Sequence, residues 1–270
     1  MLGKLIKHEF KACARYFVPI YVALLLVFFL NGFTLPKASD STVSLILIIL
    51  LVSVTMLFIF INLYVTIKRF ASSVYGSEGY LTNTLPVTAN QIIASKAITI
   101  LIYSFFSAVI LGVSIMFLML PNLSKITIFN LGQIFSDVMK VVRESNVNMF
   151  VSILNFIAAF VVTTVSSTIT LYLAISVANL KQCVNHKYIY GFITYFALSA
   201  VESGISNFIS DRILGKTPPN FVHNNAVLML NSADKFFNST LFVSTLISAV
   251  FMIISWIFVN YIMTNKLNLE

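Results

Sequence analysis

Charge is scarce in this chain. Of its 270 residues, 10% are Asp, Glu, Lys or Arg, against roughly 25% in a soluble domain. With 59% hydrophobic residues and a mean hydropathy of +0.94, that shortage excludes a soluble domain of useful size. The chain reads as an integral membrane protein. Cysteine is scarce too, at Cys13 and Cys183. Both fall near the side assigned below to the cytoplasm, where thiols stay reduced, so a disulfide framework is not expected. The three histidines, His8, His186 and His223, are scattered. No span carries a second carboxylate beside Glu202, so the converging acids, metal set or nucleophile–base pair of an intramembrane enzyme are missing.

Two motif fragments fail on inspection. His8-Glu9 opens an H-E-x-x-H zinc motif, but its second histidine position is Ala12. Gly215-Lys216-Thr217 ends a phosphate-binding run whose first glycine position is Ser210, and no strand-to-helix context surrounds it. The sequence therefore points to no catalytic residue, no metal and no cofactor. A net charge of +8 would suggest nucleic acid in a soluble protein. Here the cations flank apolar runs, and membrane orientation and anionic lipid account for them. The expected partner is the lipid bilayer, not nucleic acid.

What is present is a series of apolar runs. Residues 1–14 form an amphipathic helix candidate, with Leu2, Leu5, Ile6, Phe10 and Cys13 on one face and Lys4, Lys7, Lys11 and Arg15 opposite. Such a helix is expected to lie in the membrane interface. Spans are predicted over 16–34, 43–67, 97–120, 149–177, 188–208 and 239–263, with Pro19 in the first turn of the first. The basic start is not a signal peptide, because the first run is long and no A-x-A-like site follows it. Polar connections fall at 121–148, with an amphipathic part around 126–142, and at 209–238. The predicted fold is all-α: a six-span helical bundle forming one domain over 1–270, with an N-terminal interfacial helix and no internal repeat. Six spans put both termini on one side. The seventeen Lys and Arg divide ten to seven in favour of that side, which the positive-inside rule places in the cytoplasm of a cell-membrane protein.

Residues 68–96 are the longest polar interruption in the first half. Lys68 and Arg69 open it and Lys96 closes it. Gly76 is placed to end one helix. Ser77 can cap a short next one, with Glu78 in its first turn and Tyr80, Leu81 and Leu85 along an apolar side. Pro86 stops that helix at Leu85. Thr88 with Gln91 then reads as a capping box, and Val87 with Ile92 as its staple.

The run GSEGYLTNTLPVTANQIIASK resembles the coupling loop of type-2 ABC exporter permeases, in the branch common in Gram-positive bacteria. There a G-x-E-G-Y-L-x-x-T-L-P-V-[ST] run precedes a helix starting near Ser-Lys. Gly76, Glu78, Gly79, Tyr80, Leu81, Thr84, Leu85, Pro86, Val87, Thr88, Ser95 and Lys96 fit that pattern. A weaker likeness, K-x-x-K-x-E-F-K-x-x-x-R, covers Lys4, Lys7, Glu9, Phe10, Lys11 and Arg15. The resemblance implies a permease subunit that works as a homo- or heterodimer. Its loop would dock on a separate ATP-binding-cassette ATPase subunit, and an unidentified, lipophilic or peptide cargo would be exported. The alternative is an ATP-independent channel or secondary transporter.

Three further features stand out. Glu9 interrupts the apolar face of residues 1–14. This predicts either a buried partner, such as a cation of 68–96, or a snorkelling carboxylate. Along the fourth span, Ser152, Asn155, Ala159, Thr163, Ser166, Ser167, Thr170 and Ala174 share one side, for helix packing or for a translocation surface. Glu202 is an acid inside the fifth span. Its place near the predicted outer end, before Ser203, Gly204, Ser206 and Asn207, suggests a hydrated vestibule or a helix break that satisfies it.

Overall fold

The structure, a computed structural model, describes residues 2–34, 41–76, 88–123, 136, 139–140, 143–145, 147–214 and 226–265. Six long helices carry the described chain: α1 (Leu2–Thr34), α2 (Ser41–Val74), α3 (Ala89–Leu123), α4 (Met149–Ala178), α5 (Lys187–Leu214) and α6 (Ala226–Asn265). A short 3₁₀ turn, Val184–His186, precedes α5. Each of the six is long and apolar enough to cross a membrane. The protein is an all-α, multi-pass membrane protein by helix length and hydropathy.

The helices overrun the apolar stretches that predict them. One unbroken helix covers both the proposed interfacial segment 1–14 and the first span. Nothing in Ala12-Cys13-Ala14 stops a helix, and no separate interfacial helix is seen. Pro19 accordingly lies inside α1, not in a first turn. α2 carries Lys68 and Arg69 within its last turns. α6 starts at Ala226, well inside the predicted connection 209–238. Polar residues such as Asn231, Ser232 and Asp234 are compatible with helix, and their polarity hides the continuation from a hydropathy reading.

The chain divides into two compact units, residues 1–127 with 269–270, and residues 128–268. In the first, α1 packs against both α2 and α3. Contacts with rising residue numbers show that α1 and α3 run parallel. Phe10 and Phe17 stack on Tyr103 at centroid distances of 4.8 and 4.4 Å, and Gly32 meets Phe117. α2 returns antiparallel, with Phe58 beside Tyr21 and Arg69 beside Glu9. Cys13, Phe17, Val65 and Tyr103 form one buried cluster, and Ile20, Leu24, Phe28 and Phe58 the next. Phe70, Val74, Ile92, Ile93, Ala97 and Ile100 are buried as well, while many apolar side chains, such as Leu26, Leu45 and Phe60, are exposed, as lipid-facing residues are.

In the second unit α4 packs on α5 and α6, and these two touch each other. α4 and α6 run parallel, because Ser152 meets Asp234 while Ser166 and Ser248 meet at Glu202.

Gly32 marks the closest approach of α1 and α3. A Cβ there would overlap the carbonyl oxygen of Phe117 and lie 3.1 Å from its carbon. Backbone on both sides leaves no flexible atom to yield. Gly32→Ala is expected to lower the thermal unfolding temperature in detergent, at a cost of about 1–3 kcal/mol as overpacking does. An unchanged midpoint would show that the helices separate freely here.

Candidate functional site

The resemblance centres on residues 76–88. Of these, residues 77–87 lie outside the described residues, among them Ser77, Glu78, Gly79, Tyr80, Leu81, Thr84, Leu85, Pro86 and Val87. Their flanks are described. Gly76 follows α2, where the Tyr75 N–H donates to the Ala71 carbonyl at 3.0 Å. Its φ is outside the left-handed region. It is glycine for space, since a Cβ would lie 2.7 Å from the Ser72 carbonyl oxygen. On the far side, the Thr88 carbonyl accepts from the N–H groups of Gln91 and Ile92. The Gln91 side chain accepts from the Thr88 N–H at 3.3 Å, which is one half of the predicted capping box.

Both flanks converge on Glu9. Lys96 Nζ donates to Glu9 Oε1 at 2.6 Å, and Arg69 Nη2 and Nε donate to Oε2 at 2.9 and 3.2 Å. Lys96 Nζ also lies 3.5 Å from the Arg69 carbonyl. Of the two alternatives for the acid that breaks the apolar face of α1, the structure shows the buried partner, and both partners come from 68–96. Side-chain exposures of 12% for Glu9, 16% for Arg69 and 4% for Lys96 decide the energetics. Charges removed from water to this degree lose several kcal/mol of solvation each, recovered only through close, hydrogen-bonded pairing. The trio carries one surplus positive charge, which the Arg69 carbonyl dipole offsets at Lys96. Beside the cluster, Tyr103 donates to the Phe10 carbonyl at 2.8 Å. Further along, Tyr21 and Ser107 hydroxyls lie 2.8 Å apart, and Ser107 donates to Asn62 Oδ1 at 3.1 Å. All three helices of the unit are therefore tied by polar contacts that no pattern in the sequence marks.

The second unit holds the intramembrane acid. Glu202 lies in the middle of an unbroken α5, not at an outer end or a break. Its Oε1 accepts from Ser248 on α6 at 2.8 Å and from Ser166 on α4 at 3.3 Å. A helix that continues to Leu214 cannot expose its middle at a terminus, so neighbouring helices supply the donors.

The predicted stripe on α4 divides. Asn155 donates to Asn238 at 3.3 Å, and Ser152 donates to Asp234 at 2.8 Å. Ala159, Ser166, Thr170 and Ala174 are buried, with Thr170 bonded back to the Ser166 carbonyl. Thr163 and Ser167 are exposed and bond back to their own helix. On the helical period Ser167 falls at the edge of the stripe, whereas Thr163 lies within it, so the period alone does not set its exposure. Asp234, Asn238 and Ser248 escape the sequence reading. Their signal is one-sided spacing on α6, obscured because Asp234 and Asn238 fall in a stretch taken as a connection.

Among the described residues, no three His, Cys, Asp or Glu side chains come together as a metal group. No family model matches the chain, and neither a curated protein nor a solved structure matches it.

The ion cluster makes a ranked prediction. Glu9→Gln leaves two buried cations facing each other and should cost about 3 kcal/mol or more. Lys96→Met leaves a balanced Glu9–Arg69 pair and should cost less. Thermal unfolding of the two variants in detergent gives the ranking, and equal or inverted losses would mean that the cluster's charge balance contributes little.

Proposed function

We propose that this chain is the membrane-spanning permease subunit of an exporter energised by a separate ATP-binding-cassette ATPase. The observation that carries the reading is the convergence of Arg69 and Lys96, from either side of the coupling-loop-like run, on Glu9 of α1. A loop that transmits force to or from an ATPase needs rigid flanks. Buried ion pairs on both sides supply them.

In this reading Gly76, Glu78, Gly79, Tyr80, Leu81, Leu85 and Pro86 form the docking element. The loop and both termini face the cytoplasm, with Lys4, Lys7 and Lys11 at the start of α1 toward headgroups. The whole chain acts as one permease domain, paired with itself or with a similar chain. A second reading, an ATP-independent secondary transporter, is favoured by Glu202 and its hydroxyl partners inside a span.

Affinity purification from the native membrane separates the two. An ATP-binding-cassette ATPase should copurify, and Tyr80→Ala should weaken its docking roughly thirtyfold, the scale of losing one buried aromatic anchor. Membrane insertion should stay intact, since the spans are untouched. Transport by the purified chain without nucleotide, and no associated ATPase, would favour the second reading.

A further inference from the structure

We infer that Glu202, together with Ser166 and Ser248, binds the primary ammonium group of a membrane-partitioned amphiphile. Glu9 and Glu202 make the contrast. Glu9 is met by two cations, whereas both donors to Glu202 are neutral hydroxyls and both address the same oxygen, Oε1. Among the described residues no cation pairs with Glu202, and Oε2 accepts no hydrogen bond. A carboxylate inside an apolar span is costly without such a partner, and acids of this kind mark substrate or ion paths.

The chemistry of the cation follows from the acceptors. A divalent metal is held by several charged or imidazole ligands, and among the described residues no three His, Cys, Asp or Glu side chains come together. A guanidinium prefers both carboxylate oxygens in a fork, but two hydroxyls already occupy Oε1. An ammonium has three donors and no planar demand. Oε2 and the remaining lone pairs of the two hydroxyl oxygens suit it. Leu198 and Ile205, one turn to either side of Glu202 on α5, offer apolar surface to the rest of the molecule.

Glu202 is about 22 Å along the helix from Lys187 and about 18 Å from Leu214, at 1.5 Å per residue. A second acid follows the same logic. Asp234 accepts from Ser152 and Asn238, both at 2.8 Å when the bond comes from the Ser152 hydroxyl and the Asn238 amide. No cation among the described residues pairs with it either. Ser166 follows Ser152, and Ser248 follows Asp234, by the same fourteen residues. The two acids therefore mark two levels, about 21 Å apart, of one seam between α4 and α6. As a cargo contact this rests on the exporter reading; as a binding site it does not.

Dansylcadaverine, a fluorescent primary amine, tests the site on the purified full chain in phosphatidylcholine nanodiscs without any ATPase. Saturable binding is expected, weakened about tenfold or more by Glu202→Gln, the scale of one charge-assisted hydrogen bond. The same dansyl chain ending in a hydroxyl should show no saturable binding to the native protein. Equal binding of amine and alcohol to the native chain would overturn the proposal, as would equal binding of the amine to native and Glu202→Gln protein. Displacement of the probe when phosphatidylethanolamine replaces part of the nanodisc lipid would overturn the assignment to an amphiphile other than lipid. Failure here with an ATPase still copurifying would remove the amine site and leave the exporter reading standing.

Discussion

A single carboxylate, Glu9, organises the first unit. It sits on α1, yet its two oxygens are claimed by α2 through Arg69 and by α3 through Lys96. Three charges held away from water impose a constraint that apolar packing does not. Lipid-facing helices slide against one another at little cost, since a Leu finds lipid tails as agreeable as another Leu. An ion cluster has one arrangement in which every charge is answered. Register between α1, α2 and α3 follows from it, and the Phe10–Tyr103–Phe17 stack and the close approach at Gly32 extend that register along α1.

The second unit uses neutral donors where the first uses cations. Asp234 and Glu202 lean on serine hydroxyls and an asparagine amide. Such contacts fix helices in place while leaving the negative charge unanswered. The two units thus answer their acids in different ways. One pairs its acid with cations that flank a polar stretch, and the other leaves its acids to neutral donors. The exporter proposal draws on the wording of residues 76–88 and on the Glu9 cluster at their flanks, whereas the unpaired acids favour the second reading.

Much of this was legible in the sequence. Long apolar runs reveal six spans because few other structures need them. Glu9 was legible as an anomaly, since an acid on an apolar face calls for a buried partner or for snorkelling, and a cation of 68–96 was one candidate partner. Helix ends were less so. Hydropathy reports the change of solvent, not the end of hydrogen bonding, and α1, α2 and α6 all continue through polar residues. For the same reason Glu202 reads as near an end when it is mid-helix. The stripe on α4 was read as one face, but Thr163 and Ser167 on it are exposed, because burial depends on where another helix arrives and not on the period alone. Cross-helix partners such as Ser248 and Asn62 carry no mark in one dimension. Their roles depend on which residue of another helix arrives opposite.

The central claim is that the Glu9 cluster holds the flank of the polar stretch fixed against the start of α1. Spin labels at Lys4→Cys and Thr88→Cys, both exposed positions, report that relation directly when Cys13 and Cys183 are replaced. Pulsed electron–electron resonance should give a narrow distance distribution with Glu9 in place and a broad one after Glu9→Gln. Distributions of equal width would contradict the account, because the flank would then be held by something other than the buried charges.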